Sequence, residues 1–328
     1  MVDKIKVGQI GVGHPHAGGK MQAFRKSADY EVVGVVEPDP QLRKYAESTG
    51  IYQGLPFLTE EQLLNIDGLQ AVAVETEVPD LLNTAETCIQ AGKHIHLDKP
   101  AGLSLPHFKR ILDQAAQKHL LLQMGYMYRY NPGVVLLRDL LQKGWLGEPF
   151  EVHTVISKKM DSASRTKLEP QPGGMMFELG CHVIDLVVQI LGRPDNVTAF
   201  SQHASQIDDQ LQDNMLAVFQ YPRALATVKS SCNEVDGFNR RHILVCGSEG
   251  TYHLQPFARP TAKLTLEKAK GKYKKGAQEI SFDGYTRYQD DVADMARIIR
   301  REKDMDFSYQ HDLDVQETVL KSANLPIT

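Results

Sequence analysis

Over its first ~125 residues the chain alternates short apolar runs with amphipathic stretches. Ile5–Ile10 is an apolar run that stops at a glycine cluster, and Ala17–Lys26 carries helical spacing. Tyr30–Val36 is rich in β-branched residues and reads as a buried strand. Pro40–Thr49 is charged and helical, with proline in its first turn and Gly50 just beyond it. Leu69–Val74 predicts a strand, Asp80–Ala91 a helix closed by Gly92, and His94–Leu97 a strand. Ser104–Lys118 predicts a helix capped by Ser104, and Leu120–Met124 a further strand. Strand and helix in strict alternation predict βαβ units around a parallel sheet, hence a first domain over residues 1–125.

The pattern changes near Tyr126. Asn131–Lys143 is helical, Phe150–Ser157 is a strand, and Met175–Leu191 reads as one amphipathic helix ending at Gly192. Strand patterns follow in series at Val197–His203, Met215–Tyr221, Ala224–Ser231, Ile243–Val245, Thr251–Leu254 and Lys263–Glu267. Serial strands predict an open, largely antiparallel sheet with helices on one face. This places a second, α/β domain over residues 126–328. Two last helices, 287–301 and 310–323, are placed at the chain end, where they can pack back on the first domain. The polar, Pro/Gly-rich segment 161–174 is expected to be a loop, and the basic run 268–275 a solvated hairpin tip.

Composition narrows the function. The length of 328 residues suits about two domains. The chain has 37 basic and 41 acidic residues, a net charge of −4, and no basic stripe, which argues against nucleic acid as partner. The longest apolar stretch, Val183–Leu191, is broken by Asp185 and Gln189 and falls short of the ~20 residues of a membrane span. Charges stand where a signal peptide would be apolar, and four cysteines with no C-x-x-C spacing make no disulfide framework. A reduced, cytoplasmic location is expected.

Two strand ends carry candidate chemistry. The first strand runs into Gly11-Val12-Gly13-His14-Pro15-His16. Gly11 permits a tight strand-to-helix turn, and Gly13 lets the backbone approach a pyrophosphate that the helix N-terminus would attract. The third glycine of G-x-G-x-x-G is replaced by His16. Alone, G-x-G is compatible with nothing more than a tight turn. Glu37, at the end of the next strand, strengthens it: a carboxylate there accepts hydrogen bonds from ribose hydroxyls and repels a 2′-phosphate, favouring NAD over NADP. His14 and His16 could touch the cofactor phosphates or fill the turn. At the end of His94–Leu97 stand Asp98, Lys99 and Pro100, where open parallel sheets bind ligands.

Ala91-Gly-Lys-His-Ile-His-Leu-Asp98-Lys99-Pro100 resembles the A-G-K-H-V-x-x-E-K-P signature of the Gfo/Idh/MocA family of NAD(P)-dependent oxidoreductases, with Asp98 in place of the commoner Glu. Gly125-Tyr126-Met-Tyr-Arg129-Tyr-Asn-Pro132 resembles that family's interdomain junction. Gly173-Gly174 through Glu178, Gly180, His182 and Asp185 resembles its G-G-x-x-x-D-x-G-x-H-x-x-D helix, with Glu178 in place of Asp. The similarity covers residues 4–323. It implies an N-terminal Rossmann fold, a C-terminal α/β domain with an open sheet, and a homodimer or homotetramer. It also implies that Lys99 lies near the nicotinamide and polarises the reacting oxygen, that His182 is the general acid/base, and that Glu178 takes the place of the catalytic aspartate. Asp185 aligns with a substrate-side acid and could equally pair within its helix; Arg129 and Tyr126 could line the cleft.

On the residues themselves, helical spacing sets Glu178, His182 and Asp185 on one face, and an imidazole suits proton transfer near neutral pH. The expected activity is NAD-dependent hydride transfer between nicotinamide and a secondary alcohol of a sugar, cyclitol or related small-molecule polyol, a dehydrogenase acting on CH–OH groups. Two alternatives stand beside it. One is glycoside cleavage or epimerisation through a transient keto-sugar. The other is a non-catalytic NAD-sensing regulator. No metal site is expected, since His94 and His96 share a strand face without a third ligand. Cys181 reads as a packed thiol, and the Glu75-Thr76-Glu77 loop is an unexplained departure from the family's T-P.

Overall fold

Strand β1 (Ile5–Ile10) has no polar face: Ile5, Val7, Gln9 and Ile10 are all buried. A strand covered on both sides belongs in the interior of a parallel sheet flanked by helices. The computed structural model, which describes residues 3–327, places it there. After β1 come α1 (Ala17–Lys26), β2 (Tyr30–Val36), α2 (Pro40–Ser48), β3 (Phe57–Leu58), α3 (Glu60–Leu64), β4 (Leu69–Val74), α4 (Val78–Gln90), β5 (His94–Leu97), α5 (Leu105–Gln117) and β6 (Leu122–Met124). The strands pair in parallel in the order β3-β2-β1-β4-β5-β6, so the order reverses between β1 and β4. This is the Rossmann-type sheet expected.

The short β3 and α3 have no apolar period to announce them. α3 is held by a capping box in which Thr59 and Gln62 satisfy each other's backbone N–H groups at 3.1 and 2.9 Å.

The second unit holds α6 (Pro132–Gln142), β7 (Pro149–Ser157), α7 (Ser162–Leu168), α8 (Cys181–Leu191) and the strands β8 (Asn196–Gln202), β9 (Asn214–Gln220), β10 (Leu225–Ser231), β11 (His242–Gly247), β12 (Gly250–Leu254), β13 (Thr261–Leu266) and β14 (Gly276–Ser281). Its sheet runs β14-β13-β12-β11-β7-β10-β9-β8. Every pair is antiparallel except β7 with β10. On β7 and β10 the pairs Val152/Ala226, Thr154/Val228 and Ile156/Ser230 are buried beneath α8, while His153, Thr227 and Lys229 on the other face are half-buried.

Two expectations are corrected. Residues 161–174 are not all loop: Asp161 accepts from Ser164 N at 2.7 Å and nucleates α7 in a polar sequence without apolar periodicity. The helix read over 175–191 opens with a π turn, Met176–Gly180, before α8 begins. A Cβ on Gly180 would lie 2.6 Å from Met176 Sδ, so glycine makes room for that side chain in the widened turn.

The chain ends with α9 (Gln289–Ile299) and α10 (Tyr309–Ser322). Residues up to Tyr126 and Thr286–Tyr309 form one compact unit; Met127–Tyr285 and Gln310–Ile327 form the other. The returning segment completes the first unit's core, where Val292, Met295 and Ala296 pack with Ile5, Val7, Phe24 and Tyr30. It also brings Asp291 to the fully buried Lys20 ammonium, 2.5 Å away. Among the described residues no helix is long and apolar enough to cross a membrane.

Breaking a buried ion pair leaves a charge stranded in low dielectric. Asp291→Ala is therefore expected to cost about 3–5 kcal/mol in denaturant unfolding, and Lys20→Met with Asp291→Leu to restore most of it. Equal stability of Asp291→Ala and the parent protein would contradict this.

Candidate functional site

At the reversal of strand order the chain leaving β1 is sewn to both neighbours. Gly11 N–H donates to Val36 O at 2.8 Å, Glu75 N–H to Ile10 O at 2.8 Å and His14 N–H to Glu75 O at 3.2 Å. Gly11 has φ +90°, and a Cβ there would meet Thr76 N at 2.4 Å. Both facts require glycine. Glu37 is mostly buried. Its Oε2 accepts from Val12 N at 2.8 Å and its Oε1 from Asp39 N at 3.0 Å, so the acid is oriented by the glycine loop itself. Asp39 in turn caps α2 through Gln41 N and Leu42 N. Gly13 lies between Leu42 and Glu77, whose side-chain atoms would be 3.0–3.1 Å from a Cβ. The N-cap position of α1, His16, makes no side-chain capping bond to the helix.

Next to this loop lies a buried ionic cluster. Asp98, fully buried at the end of β5, has Oδ1 accepting from Lys99 N at 2.6 Å and 3.1 Å from His16 Nδ1. Its Oδ2 is 3.2 Å from His14 Nδ1, and His14 Nε2 is 3.1 Å from Lys99 O. Glu75, also fully buried, is 3.9 Å from His14 Nδ1 and from His96 Nδ1. Burial, reinforced by the Asp98 carboxylate, pushes the Glu75 carboxyl well above the usual range. Burial pulls the His16 imidazole down to about 4 against the pull of Asp98, so it is neutral at pH 7. Deeper still, Lys20 Nζ sits 2.9 Å from His96 Nε2, beside Asp291 and 4.6 Å from the centroid of the Tyr288 ring.

His16, Glu75 and Asp98, read from the sequence as separate departures, therefore converge. Lys20 and Asp291 escaped notice. A signal for Lys20 existed: with Ala17, Met21 and Phe24 it lies on the buried stripe of α1. Lys99 is itself 1% exposed, and its bond to Pro100 is cis. Tyr126, buried, is the last residue of the unit's first stretch.

In the second unit His182 and Asp185 both lie on α8 and are buried. Glu178 is half-buried in the π turn, so the α-helical i, i+4 geometry expected to set it on one face with His182 does not apply there. The His182 ring lies 5.4 Å from that of Tyr128, which stacks on Phe257 at 4.5 Å and receives Arg241 Nη1 at 3.3 Å. Arg129 grips Asp185 with Nε at 3.0 Å and Nη2 at 2.5 Å, and reaches Asp312 Oδ1 with Nη2 at 2.6 Å. Burial works against the Arg129 charge, but the two carboxylates raise its pKa further. Burial also works against the Asp185 charge, yet Arg129 and His311 hold its carboxyl low, while burial raises Asp312. Asp185 thus pairs across to Arg129 rather than within its own helix.

A parallel sheet with a glycine loop and an oriented acid at its crevice, joined to a unit with a wide open sheet, defines a dinucleotide-type oxidoreductase fold. Residues 5–126 match the oxidoreductase family with NAD-binding Rossmann fold, and residues 134–253 match the GFO/IDH/MocA C-terminal domain. The chain belongs to the GFO/IDH/MocA family. It is 23% identical over 199 residues to trans-1,2-dihydrobenzene-1,2-diol dehydrogenase of Bos taurus, a match spanning 60% of this chain and 58% of that protein, under two thirds of its length. Among solved structures it is similar to UDP-N-acetylglucosamine 3-dehydrogenase GnnA of Acidithiobacillus ferrooxidans, at TM-score 0.80 and 19% identity, covering 97% of this chain and 96% of that one. An oxidoreductase of Desulfitobacterium hafniense described as NADPH-dependent aligns at TM-score 0.82 and 19% identity, covering 99% and 96%. At these identities the likeness to solved structures is one of fold.

Gly11→Ala places a Cβ against the Thr76 backbone in a left-handed conformation. The conformation alone is worth about 1–2 kcal/mol, and the contact adds to it. A lowered thermal midpoint is expected by calorimetry; an unchanged midpoint would refute the strict requirement for glycine.

Proposed function

We propose that the protein is an NAD-dependent dehydrogenase acting on a secondary alcohol of a sugar, cyclitol or related polyol. The observation that carries this reading is the Glu37 carboxylate, pinned by Val12 N–H at the mouth of the glycine loop. Each of its oxygens accepts one backbone hydrogen bond, and a carboxylate has about four acceptor positions, so two remain for a pair of ribose hydroxyls. The residues present fit a dinucleotide: a glycine turn at Gly11 packed onto the Thr76 backbone leads into an α1 N-terminus whose partial positive charge suits a pyrophosphate. When bound, the nicotinamide supplies the hydride acceptor.

The chain's own residues do the remaining work. Lys99 holds the substrate oxygen as it gains negative charge, an interaction strongest in the transition state and therefore accelerating. His182 takes the hydroxyl proton. Glu178 acts as the acidic partner at the catalytic aspartate's position, with a longer reach. Arg129 and Asp185 act on substrate by positioning, since their mutual ion pair fixes α8 around His182. Tyr126 lines the substrate side. The Bos taurus diol dehydrogenase and the UDP-N-acetylglucosamine dehydrogenase support a hydroxylated substrate. The NADPH-dependent description of one similar structure makes cofactor choice a matter for direct test.

His182→Ala and Lys99→Met are each expected to lower kcat by about 100-fold or more while NADH affinity, read by fluorescence titration, stays within a few fold. The assay follows NADH formation across sugars and inositols. Retained turnover in either variant would remove that residue's role; NADH formed by neither parent nor variants on any polyol would remove the dehydrogenase reading. Glu37→Gln is expected to narrow the preference for NADH over NADPH by about 10-fold, because it removes the charge that opposes a 2′-phosphate. An unchanged ratio would separate Glu37 from cofactor selection.

A further inference from the structure

We propose that His14, His16 and Asp98 form a binding site for a divalent transition-metal ion of the zinc class, with Glu75 as a further carboxylate at its edge. One ligand atom from each of the three lies within 4.8 Å of the others. Two contacts are closer, His16 Nδ1 to Asp98 Oδ1 at 3.1 Å and His14 Nδ1 to Asp98 Oδ2 at 3.2 Å. Ligands held at about 2.0–2.2 Å from one tetrahedral zinc ion are about 3.3–3.6 Å apart, so these two contacts would open by a few tenths of an ångström to admit the ion.

The hydrogen-bond pattern favours a cation between these atoms. His14 Nε2 faces the Lys99 carbonyl, which only an N–H can do, and His16 N–H points at His14 Nδ1 from 3.2 Å. Nδ1 therefore carries a lone pair. That lone pair stands 3.2 Å from Asp98 Oδ2, an oxygen that receives no hydrogen bond among the described residues. Glu75 adds two more buried oxygens without a hydrogen bond. A cation here would take over the His14 Nδ1 lone pair from the His16 N–H and displace the proton that the raised Glu75 carboxyl holds beside Asp98, giving these buried oxygens one shared partner.

The surroundings suit ligation. The Lys99 carbonyl orients the His14 ring from its far side, and Lys99 N–H supports Asp98 Oδ1 at 2.6 Å, the outer-shell support typical of metal ligands. Two imidazoles with a carboxylate favour zinc, iron or cobalt over magnesium or calcium, which prefer all-oxygen sites. The His16 side chain is 13% exposed while those of His14 and Asp98 are nearly or fully buried, so the ion would enter past His16. Bound there, it would fasten the glycine loop to the end of β5. The rival occupant is a single proton shared by Glu75 and Asp98.

The test uses the full chain, stripped with a chelator and titrated with zinc chloride or cobalt chloride alone, without nucleotide, so it is independent of the dehydrogenase reading. Calorimetry is expected to show one equivalent bound, and cobalt to produce visible d–d absorption. X-ray absorption of the zinc-loaded protein should show two imidazole ligands. His16→Ala and Asp98→Asn should each weaken binding by about 100-fold, with circular dichroism unchanged. The wild-type spectroscopy decides the matter should a variant fail to fold. The proposal is overturned if zinc binds no more tightly to the parent than to Asp98→Asn. It is equally overturned if the absorption spectrum lacks imidazole, or if zinc leaves in place an infrared carboxylic-acid band that Glu75→Gln removes.

Discussion

The first unit is organised by a backbone contact. Where the strand order reverses, Gly11 passes so close to the Glu75–Thr76 backbone that no side chain fits between. That close pass turns the chain from β1 into the crevice. It presents Val12 N–H to Glu37 and carries His14 to the Lys99 carbonyl at the end of β5. A loop displaced by the width of a methyl group would lose these bonds together, because each ends on an adjacent strand terminus.

Much of this was legible in the residues. Ile5–Ile10, Tyr30–Val36 and His94–Leu97 were read with the bounds the structure shows, since short apolar runs bounded by polar and turn-forming residues permit few other interpretations. The family resemblance carried both halves of the chain, and the separate family matches support it. What escaped depends on geometry rather than period. A five-residue helix held by a capping box, a helix nucleated by Asp161 in a polar stretch, and a π turn made around Gly180 leave no hydrophobic repeat. Nor does spacing foretell that His16, Glu75 and Asp98, on three different connections, meet in one buried cluster.

The second unit also buries ion groups whose members are far apart in sequence. Arg129 is matched by Asp185 and Asp312, and Arg165 by Asp209 and Asp213. Such groups add little net stability over apolar packing, but a misregistered arrangement would leave a charge stranded. In α8 the consequence is local: the Arg129 fork on Asp185 restrains the helix one turn beyond His182.

The Lys20–Asp291 pair extends that logic to biosynthesis. The two residues are separated by 271 positions. At about 5–20 residues per second, a ribosome needs roughly 15–55 s to travel from one to the other. Once β6 has been made, at Met124, the nascent first unit has all six strands of its sheet but still lacks the Asp291 counter-charge for an ammonium destined for its interior. Its final closure therefore waits until Asp291 has been made, and a fragment released at Tyr126 would hold an unneutralised lysine where the finished protein is dry.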